Sequence, residues 1–196
     1  MEPRAVMAEP IIDERVIAAC QRGDRDAFGL LFDNYKDKVF SIAVYSFNGD
    51  RNAAADVSQQ IFLKLMTSIG QFRGDSAFTT WLYRMVVNTC IDEQRKRRRF
   101  LPFGDSLPVN KVEDTRGPEK HFAKLEVADH VQTAIGELKP KLRLPILLKY
   151  VEGLSYEEIA EVLSCSKGTV ASRLNRGHTA LARKLSHLRG EVVLGD

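Results

Sequence analysis

The chain has 196 residues, 44% of them hydrophobic and 28% charged, and carries a formal net charge of +3. That size suits one or two small domains, each just able to bury a core. No apolar run approaches the roughly 20 residues that span a bilayer. The stretch "MEPRAVMAEPIIDERV" puts acids where an export signal needs an unbroken apolar core, so a cytoplasmic location is expected. Cys20, Cys90 and Cys165 lie far apart with no C-x-x-C pair, which argues against a disulfide framework and fits a reducing compartment. Neither these nor His121, His130, His178 and His187 have zinc-ligand spacing, so no metal or cofactor is expected.

Residues 11–99 carry helix-period apolar patterns and very little strand signal. "IDERVIAACQRG" reads as a short helix stopped by Gly23, after which Asp24 is placed to cap "RDAFGLLFDNYKDKVFSIAVYSF". Phe28, Leu31, Phe32, Tyr35, Val39, Ile42 and Ala43 fall on one face of that second helix. "NGD" at 48–50 is a turn. A third helix near 52–70 gives Ala55, Ile61, Phe62, Leu65, Met66 and Ile69 an apolar surface, and "RGDS" at 73–76 interrupts it. "AFTTWLYRMVVNTCIDEQRKRRR" resumes the pattern as a long fourth helix.

Residues 100–120, "FLPFGDSLPVNKVEDTRGPEK", hold three prolines, two glycines and mixed charge without periodicity, which reads as a linker. As a flexible coil it spans roughly 25 Å, and fully stretched about 70 Å. Helical patterning restarts near Phe122. Pro140 can open "PKLRLPILLKYVEG", where Pro145 is a candidate bend and Gly153 a candidate stop. An all-α fold of two small helical domains is therefore expected: 11–99, then the linker 100–120, then 121–190.

The segment 153–177, "GLSYEEIAEVLSCSKGTVASRLNRG", carries the sharpest local signal. Ser155 and Glu158 form a capping-box pattern, Ile159, Ala160 and Leu163 face inward, and "SCS" makes a turn in which Ser166 can cap a second helix with Val170, Leu174 and Leu181 buried. Ser164 to Gly190 contains no Asp or Glu, whereas the preceding helix region holds Glu152, Glu157, Glu158 and Glu161. A basic second helix behind an acidic first one suits insertion into a major groove. Ser172, Asn175 and Arg176 project from its polar face, and Arg and Asn side chains can pair bidentately with guanine and adenine. The alternative is a solvated basic helix in an ordinary bundle. Cys165 reads as an inert turn residue, with Lys167 as its one thiolate-stabilising neighbour in sequence.

Upstream, "FRGDSAFTTWLYRMVVNTCIDEQRKRRR" (72–99) sets Phe78, Trp81 and Tyr83 among Arg73, Arg84 and Asn88 and ends in the run Arg95–Arg99. Aromatics beside cations suit unstacked single-stranded DNA, and an amide such as Asn88 can read the edge of an extruded base. Against this, Phe78, Trp81, Leu82 and Met85 recur at helical spacing, so Trp81 also reads as a core anchor. The 95–99 run also reads as a solvated helix end.

"RGDSAFTTWLYRMVVNT", "DVSQQIFLKL" (56–65) and "GLSYEEIAEVLSCSKGTVASRLNRG", in this order and at these separations, resemble an extracytoplasmic-function (group IV) sigma factor of bacterial RNA polymerase, over about residues 12–188. The resemblance implies sigma region 2 and sigma region 4 joined by the linker. It implies docking of Asp56, Gln59, Phe62 and Leu65 on the beta-prime clamp helices, and of region 4 on the beta flap. It assigns Arg73, Phe78, Trp81, Tyr83, Arg84 and Asn88 to the minus-ten element, melted to single strands. It assigns Lys167, Thr169, Ser172, Arg173, Asn175 and Arg176 to the duplex minus-35 element, and an anti-sigma protein as a further partner. This sequence departs from the family where an acid often replaces Gln60, where Arg often replaces Ala171 and an aromatic Asn175, and in carrying Asp92 beside the DNA face. Two other readings compete. One is a conventional regulator that binds duplex operators without polymerase. The other is an enzyme, for which the chain offers no nucleophile elbow, P-loop, metal carboxylate pair or His/Cys cluster, and hence no candidate catalytic residue.

Overall fold

The computed structural model describes residues 12–100 and 130–186, and among these there is no strand. The helices are α1 (Glu14–Gln21), α2 (Arg25–Ser46), α3 (Arg51–Ser68) with a 3₁₀ turn at Ile69–Gln71, and α4 (Phe78–Phe100). There follow α5 (described over 130–136), α6 (Pro140–Tyr150), α7 (Tyr156–Val162) and α8 (Lys167–Lys184). Apart from Phe100, which ends α4, the expected linker lies outside the described residues, as does the expected helix onset near Phe122.

Short polar side chains set the helix starts. Asp13 accepts from the Val16 amide at 3.0 Å, Asp24 from Asp26 and Ala27 at 2.9 and 3.1 Å, and Asp50 from Ala53 at 2.9 Å. Each satisfies an amide that the first turn leaves unpaired. The Asn48–Gly49 turn between α2 and α3 takes two successive left-handed residues, φ 56° and 86°, a conformation that Asn and Gly tolerate best. The capping box of α7 is complete: the Ser155 amide donates to Glu158 Oε2 at 2.7 Å and the Glu158 amide to Ser155 Oγ at 3.2 Å.

α1 to α4 pack around Leu31, Val39, Ile42, Val57, Ile61, Leu65, Leu82 and Val86, all buried. Three residues expected on the apolar faces stand outside: Phe32 and Met66 are exposed, as is Ala55. With Leu63 they make the α2–α3 apolar surface wider than one core can cover. In the C-terminal half, α6, α7 and α8 bury Leu147, Leu148, Ile159, Val170 and Leu174, while Leu163 and Leu181 are half-buried. α6 continues through Pro145, and α8 crosses it at Gly177, where an added Cβ would come within 3.1 Å of Ile146.

The two halves pack on one another. Arg143 of α6, only 6% exposed, donates from Nη1 to the Tyr45 and Ser46 carbonyls at 2.9 and 2.7 Å, at the carboxyl end of α2. Its Nη2 holds the Leu138 carbonyl at 2.8 Å and the Gly136 carbonyl of its own half. Reciprocally, Arg84 of α4 donates to the Glu161 carbonyl near the end of α7 at 2.9 Å. Neither α2 nor α7 has a basic residue in its own last turn, so each half supplies the cation that the other's helix terminus lacks.

Two measurements test this description of the capping box. Replacing Ser155 with Ala lowers unfolding free energy by about 1 kcal/mol in urea titrations. Hydrogen bonds from Ser155, first its backbone amide, hold the Glu158 carboxyl below its ordinary 4.5. A depressed acid contributes stability above its ordinary value and loses it as pH falls through the folded one. The stability difference between the native chain and Glu158→Gln is therefore constant at neutral pH and shrinks below pH 4.5; a difference that grows in acid contradicts it.

Candidate nucleic-acid interface

An open apolar groove of about 510 Å³ runs between α2 and α3, walled by Phe28, Phe32, Phe40, Phe62, Leu63 and Met66, with Gln59 at its edge. Phe62 is buried with its ring edge-on to Phe32, centroids 4.7 Å apart, and so forms the groove wall. Leu65 is fully buried and supports the groove from beneath, while Asp56 and Gln59 are exposed beside it. The side chains that stand free are Leu63 and Met66, at 54% and 55% exposure. Leu63 escaped the sequence reading. The signal was an α3 apolar stripe too broad for one buried face.

The 72–78 loop is pinned at its start by Gln21, whose Nε2 donates to the Ile69 and Phe72 carbonyls at 3.1 and 2.8 Å. It reverses at Gly74, φ 79°. Phe72 stands edge-on to Phe78 at 5.4 Å and tilted against Trp81 at 5.6 Å, and Phe78 also meets Tyr35 at 5.9 Å. Phe78 is thus a buried anchor, and Trp81, half-buried, presents part of its ring to a hollow of about 670 Å³ shared with Arg73, Asp75, Ser76 and Arg84. Arg73 is exposed at its rim. Tyr83 points elsewhere: it is 3% exposed and donates to Glu152 Oε2 of the other half at 2.5 Å. Asn88 is exposed on the wall of a second cavity, about 390 Å³, between α4 and the C-terminal half, which Arg95, Lys141 and Arg173 also line. Arg73, Trp81 and Arg84 therefore share one hollow, whereas Phe78, Tyr83 and Asn88 do not open onto it.

In the basic run, Arg97 pairs with Asp50 at 3.3 Å and with Glu93 at 3.7 Å and lies over the Phe47 ring at 5.0 Å, a structural role. Arg95 and Lys96 are exposed, each beside an acid of the same helix. Asp92 is the partner of Arg95, at 3.7 Å.

α8 begins at Ser166, whose Oγ accepts from the Thr169 amide at 3.2 Å and lies 2.9 Å from Thr169 Oγ1. The turn before it passes through Ser164 at φ 49°. Lys167 at the first turn pairs with Glu157 of α7 at 2.7 Å, and that exposed pairing lowers the Glu157 carboxyl from its ordinary value. Ser172 donates to the Thr169 carbonyl at 3.1 Å, and Asn175 and Arg176 are exposed one turn further along. Arg173 turns inward, half-buried, with Nη1 3.8 Å from Cys165 Sγ. Burial pushes the Cys90 thiol up to about 12 and raises that of Cys20, so neither is a ready thiolate at neutral pH. No helix among the described residues is long and apolar enough to cross a membrane.

Two family matches cover these surfaces in order: residues 31–100 match Sigma-70 region 2, and residues 129–181 match Sigma-70 region 4. Over 92% of the chain and 97% of the relative, the sequence is 37% identical to the RNA polymerase sigma-H factor of Pseudomonas aeruginosa. It is 36% identical to the ECF RNA polymerase sigma-E factors of Haemophilus influenzae and Escherichia coli, covering 93% of this chain in both cases and 100% and 98% of those relatives. Among solved structures, CnrH in complex with the cytosolic domain of CnrY aligns with a TM-score of 0.66 at 26% identity, covering 90% of this chain and 98% of that one. The fold also matches the sigma factor RpoE crystallised with the anti-sigma factor NepR from Bartonella quintana, TM-score 0.65 at 22% identity, over 81% and 96% of the two chains.

The division between groove wall and groove surface is measurable as stability. Leu65→Ala costs about 2–5 kcal/mol of unfolding free energy, whereas Leu63→Ala and Met66→Ala each stay within about 0.5 kcal/mol. Equal losses at all three positions would mean that the groove is part of the core. With both regions present in order and close relatives along nearly its whole length, the chain belongs to the sigma-70 family of transcription initiation factors, in its extracytoplasmic-function branch.

Proposed function

We propose that this chain binds core RNA polymerase through the α2–α3 groove, directs it to promoters through two DNA elements, and catalyses no reaction of its own. The observation that carries this reading is the pairing, in one chain, of an acid-free, Ser166-capped α8 exposing Asn175 and Arg176 with an aromatic and cationic hollow at 72–84. The first has the form of a groove-reading helix. The second offers a half-exposed indole and two guanidinium groups, suited to a base turned out of the stack and the phosphates beside it.

The enzyme's beta-prime clamp helices would seat on Phe32, Leu63 and Met66, with Asp56 and Gln59 as polar contacts at the rim and Phe62 and Leu65 holding the surface in shape. Arg73, Trp81 and Arg84 would hold the melted minus-ten strand, supported by Phe78. Asn88, exposed on the neighbouring cavity wall, would reach a base beyond that hollow, and Tyr83 joins only once Glu152 of the C-terminal half releases it. Lys167, Thr169, Ser172 and Arg176 would contact minus-35 phosphates and Asn175 a base edge. Arg173 reaches DNA after leaving its cavity. The same C-terminal half would dock on the beta flap, for which exposed Tyr150, Val151 and Tyr156 are available. An anti-sigma protein is the expected negative regulator, and the protein is expected to work in the cytoplasm.

The regulator reading is separated from this one by affinity without polymerase. The free chain binds promoter duplex weakly in gel shifts at physiological salt, and adding core polymerase produces specific binding and transcript initiation; nanomolar specific binding by the free chain favours the regulator. Introducing Leu63→Asp with Met66→Asp weakens association with core polymerase while leaving the melting temperature within a few degrees. Asn175→Ala lowers initiation on minus-35-dependent promoters by an amount equivalent to about 1–3 kcal/mol and relaxes base preference there. Uniform loss across all minus-35 sequences would assign Asn175 to the backbone instead.

A further inference from the structure

The cavity of about 390 Å³ between α4 and the C-terminal half is separate from both the α2–α3 groove and the hollow at Trp81. Its floor is apolar: Leu144 and Pro145 of α6 and Leu163 at the end of α7 face Ile91 of α4. Three cations from three helices stand around that floor, Arg95 of α4, Lys141 of α6 and Arg173 of α8, and among the described residues no carboxylate lines it. Arg95 already faces Asp92 of its own helix at 3.7 Å, which offsets part of its charge. Lys141 and Arg173 have no ion-pair partner among the described residues. Arg173 is half-buried, and its Nη1 meets the Cys165 sulfur at 3.8 Å, a weak acceptor for a guanidinium drawn out of water.

We propose that this cavity is a binding site for a small amphipathic organic anion, a ring system carrying one carboxylate, sulfonate or phosphate group. The rings lie on Leu144, Pro145 and Leu163, and the acid group faces Lys141 and Arg173. A concave surface lined by one sign of charge concentrates its counter-ion, because field lines focus in a low-dielectric cleft. The acid also supplies the oxygen acceptors that Arg173 lacks. Size argues for a small molecule over a partner chain. Sites of roughly 300–1,000 Å³ take small molecules, whereas a helix with its side chains is about 10–12 Å across. At about 390 Å³ the cavity suits one or two fused rings. Nothing in this recognition involves polymerase or DNA, so it goes beyond the sigma-factor reading.

The probe is 1-anilinonaphthalene-8-sulfonate, titrated by fluorescence at neutral pH, with uncharged N-phenyl-1-naphthylamine as its counterpart. The full chain carries Leu63→Asp and Met66→Asp, whose acids repel the sulfonate from the α2–α3 groove. In that background the sulfonate fills a saturable site. Lys141→Met together with Arg173→Met lowers its affinity by about tenfold or more and leaves affinity for the uncharged compound unchanged. Leu163→Trp, which fills the floor, weakens both compounds. Arg73→Gln, in the hollow of Trp81, changes neither. Lys141 is exposed, so Lys141→Met alone leaves the fold intact and still lowers sulfonate affinity by about threefold or more. Absence of saturable binding overturns the site. So does a sulfonate affinity that survives the Lys141 and Arg173 substitutions in a folded chain, or one that falls only with Arg73→Gln. Equal losses for the sulfonate and the uncharged compound overturn the anionic class of ligand.

Discussion

A guanidinium buried at the end of a helix organises this molecule. Arg143 enters from the C-terminal half and meets the Tyr45 and Ser46 carbonyls where α2 stops, while holding the Leu138 carbonyl that ends its own preceding turn. A cation taken from water is costly unless its donors are met, and here carbonyl oxygens meet them. The position also suits the charge, because the carboxyl end of α2 is its negative end and no basic residue of α2 occupies it. Gln94 adds a second donor to the Ser46 carbonyl at 2.5 Å, so α4 is tied to the same terminus. The end of α2, the orientation of α6 and part of the contact between the halves thus rest on one side chain.

The arrangement divides the surface into covered and open parts. Tyr83 is covered by the other half, while the hollow lined by Arg73, Trp81 and Arg84, the exposed Asn88, the apolar groove of α2 and α3 and the Asn175–Arg176 face of α8 stand open. An exposed apolar groove rimmed by polar side chains, as between α2 and α3, is the kind of surface that often marks an interaction site.

Much of this was legible in the sequence, and the failures share a cause. Caps, turns and periodicity are local, so Asp24, Asn48–Gly49, the Ser155–Glu158 box and the Ser166 start of α8 could be read from neighbouring residues alone. Which apolar residues face water was not local. Phe32 and Met66 lie on helical stripes as good as those of Leu31 and Leu65, and only the packing of α2 on α3 decides that the former pair stays outside. Tyr83 and Arg84 looked like an aromatic and a cation poised for DNA, and their type and spacing could not show that Glu152 and Glu161 hold them. Arg143 was passed over inside the apolar run of α6. Its oddity, a lone cation between two leucines, was visible, but its partners lie 97 and 98 residues away. Short-range chemistry can be read from a string of residues; long-range satisfaction of a buried charge needs the folded chain.

Energy transfer between dyes placed at Arg22, beside α1, and Ala182, on α8, reports most directly whether Arg143 holds the two halves together. Both sites are exposed and outside the contacts described. High transfer in the native chain that falls in a folded Arg143→Met variant is the result predicted by two halves joined through that buried guanidinium. Transfer that is low from the start, or that is unchanged in Arg143→Met, contradicts it.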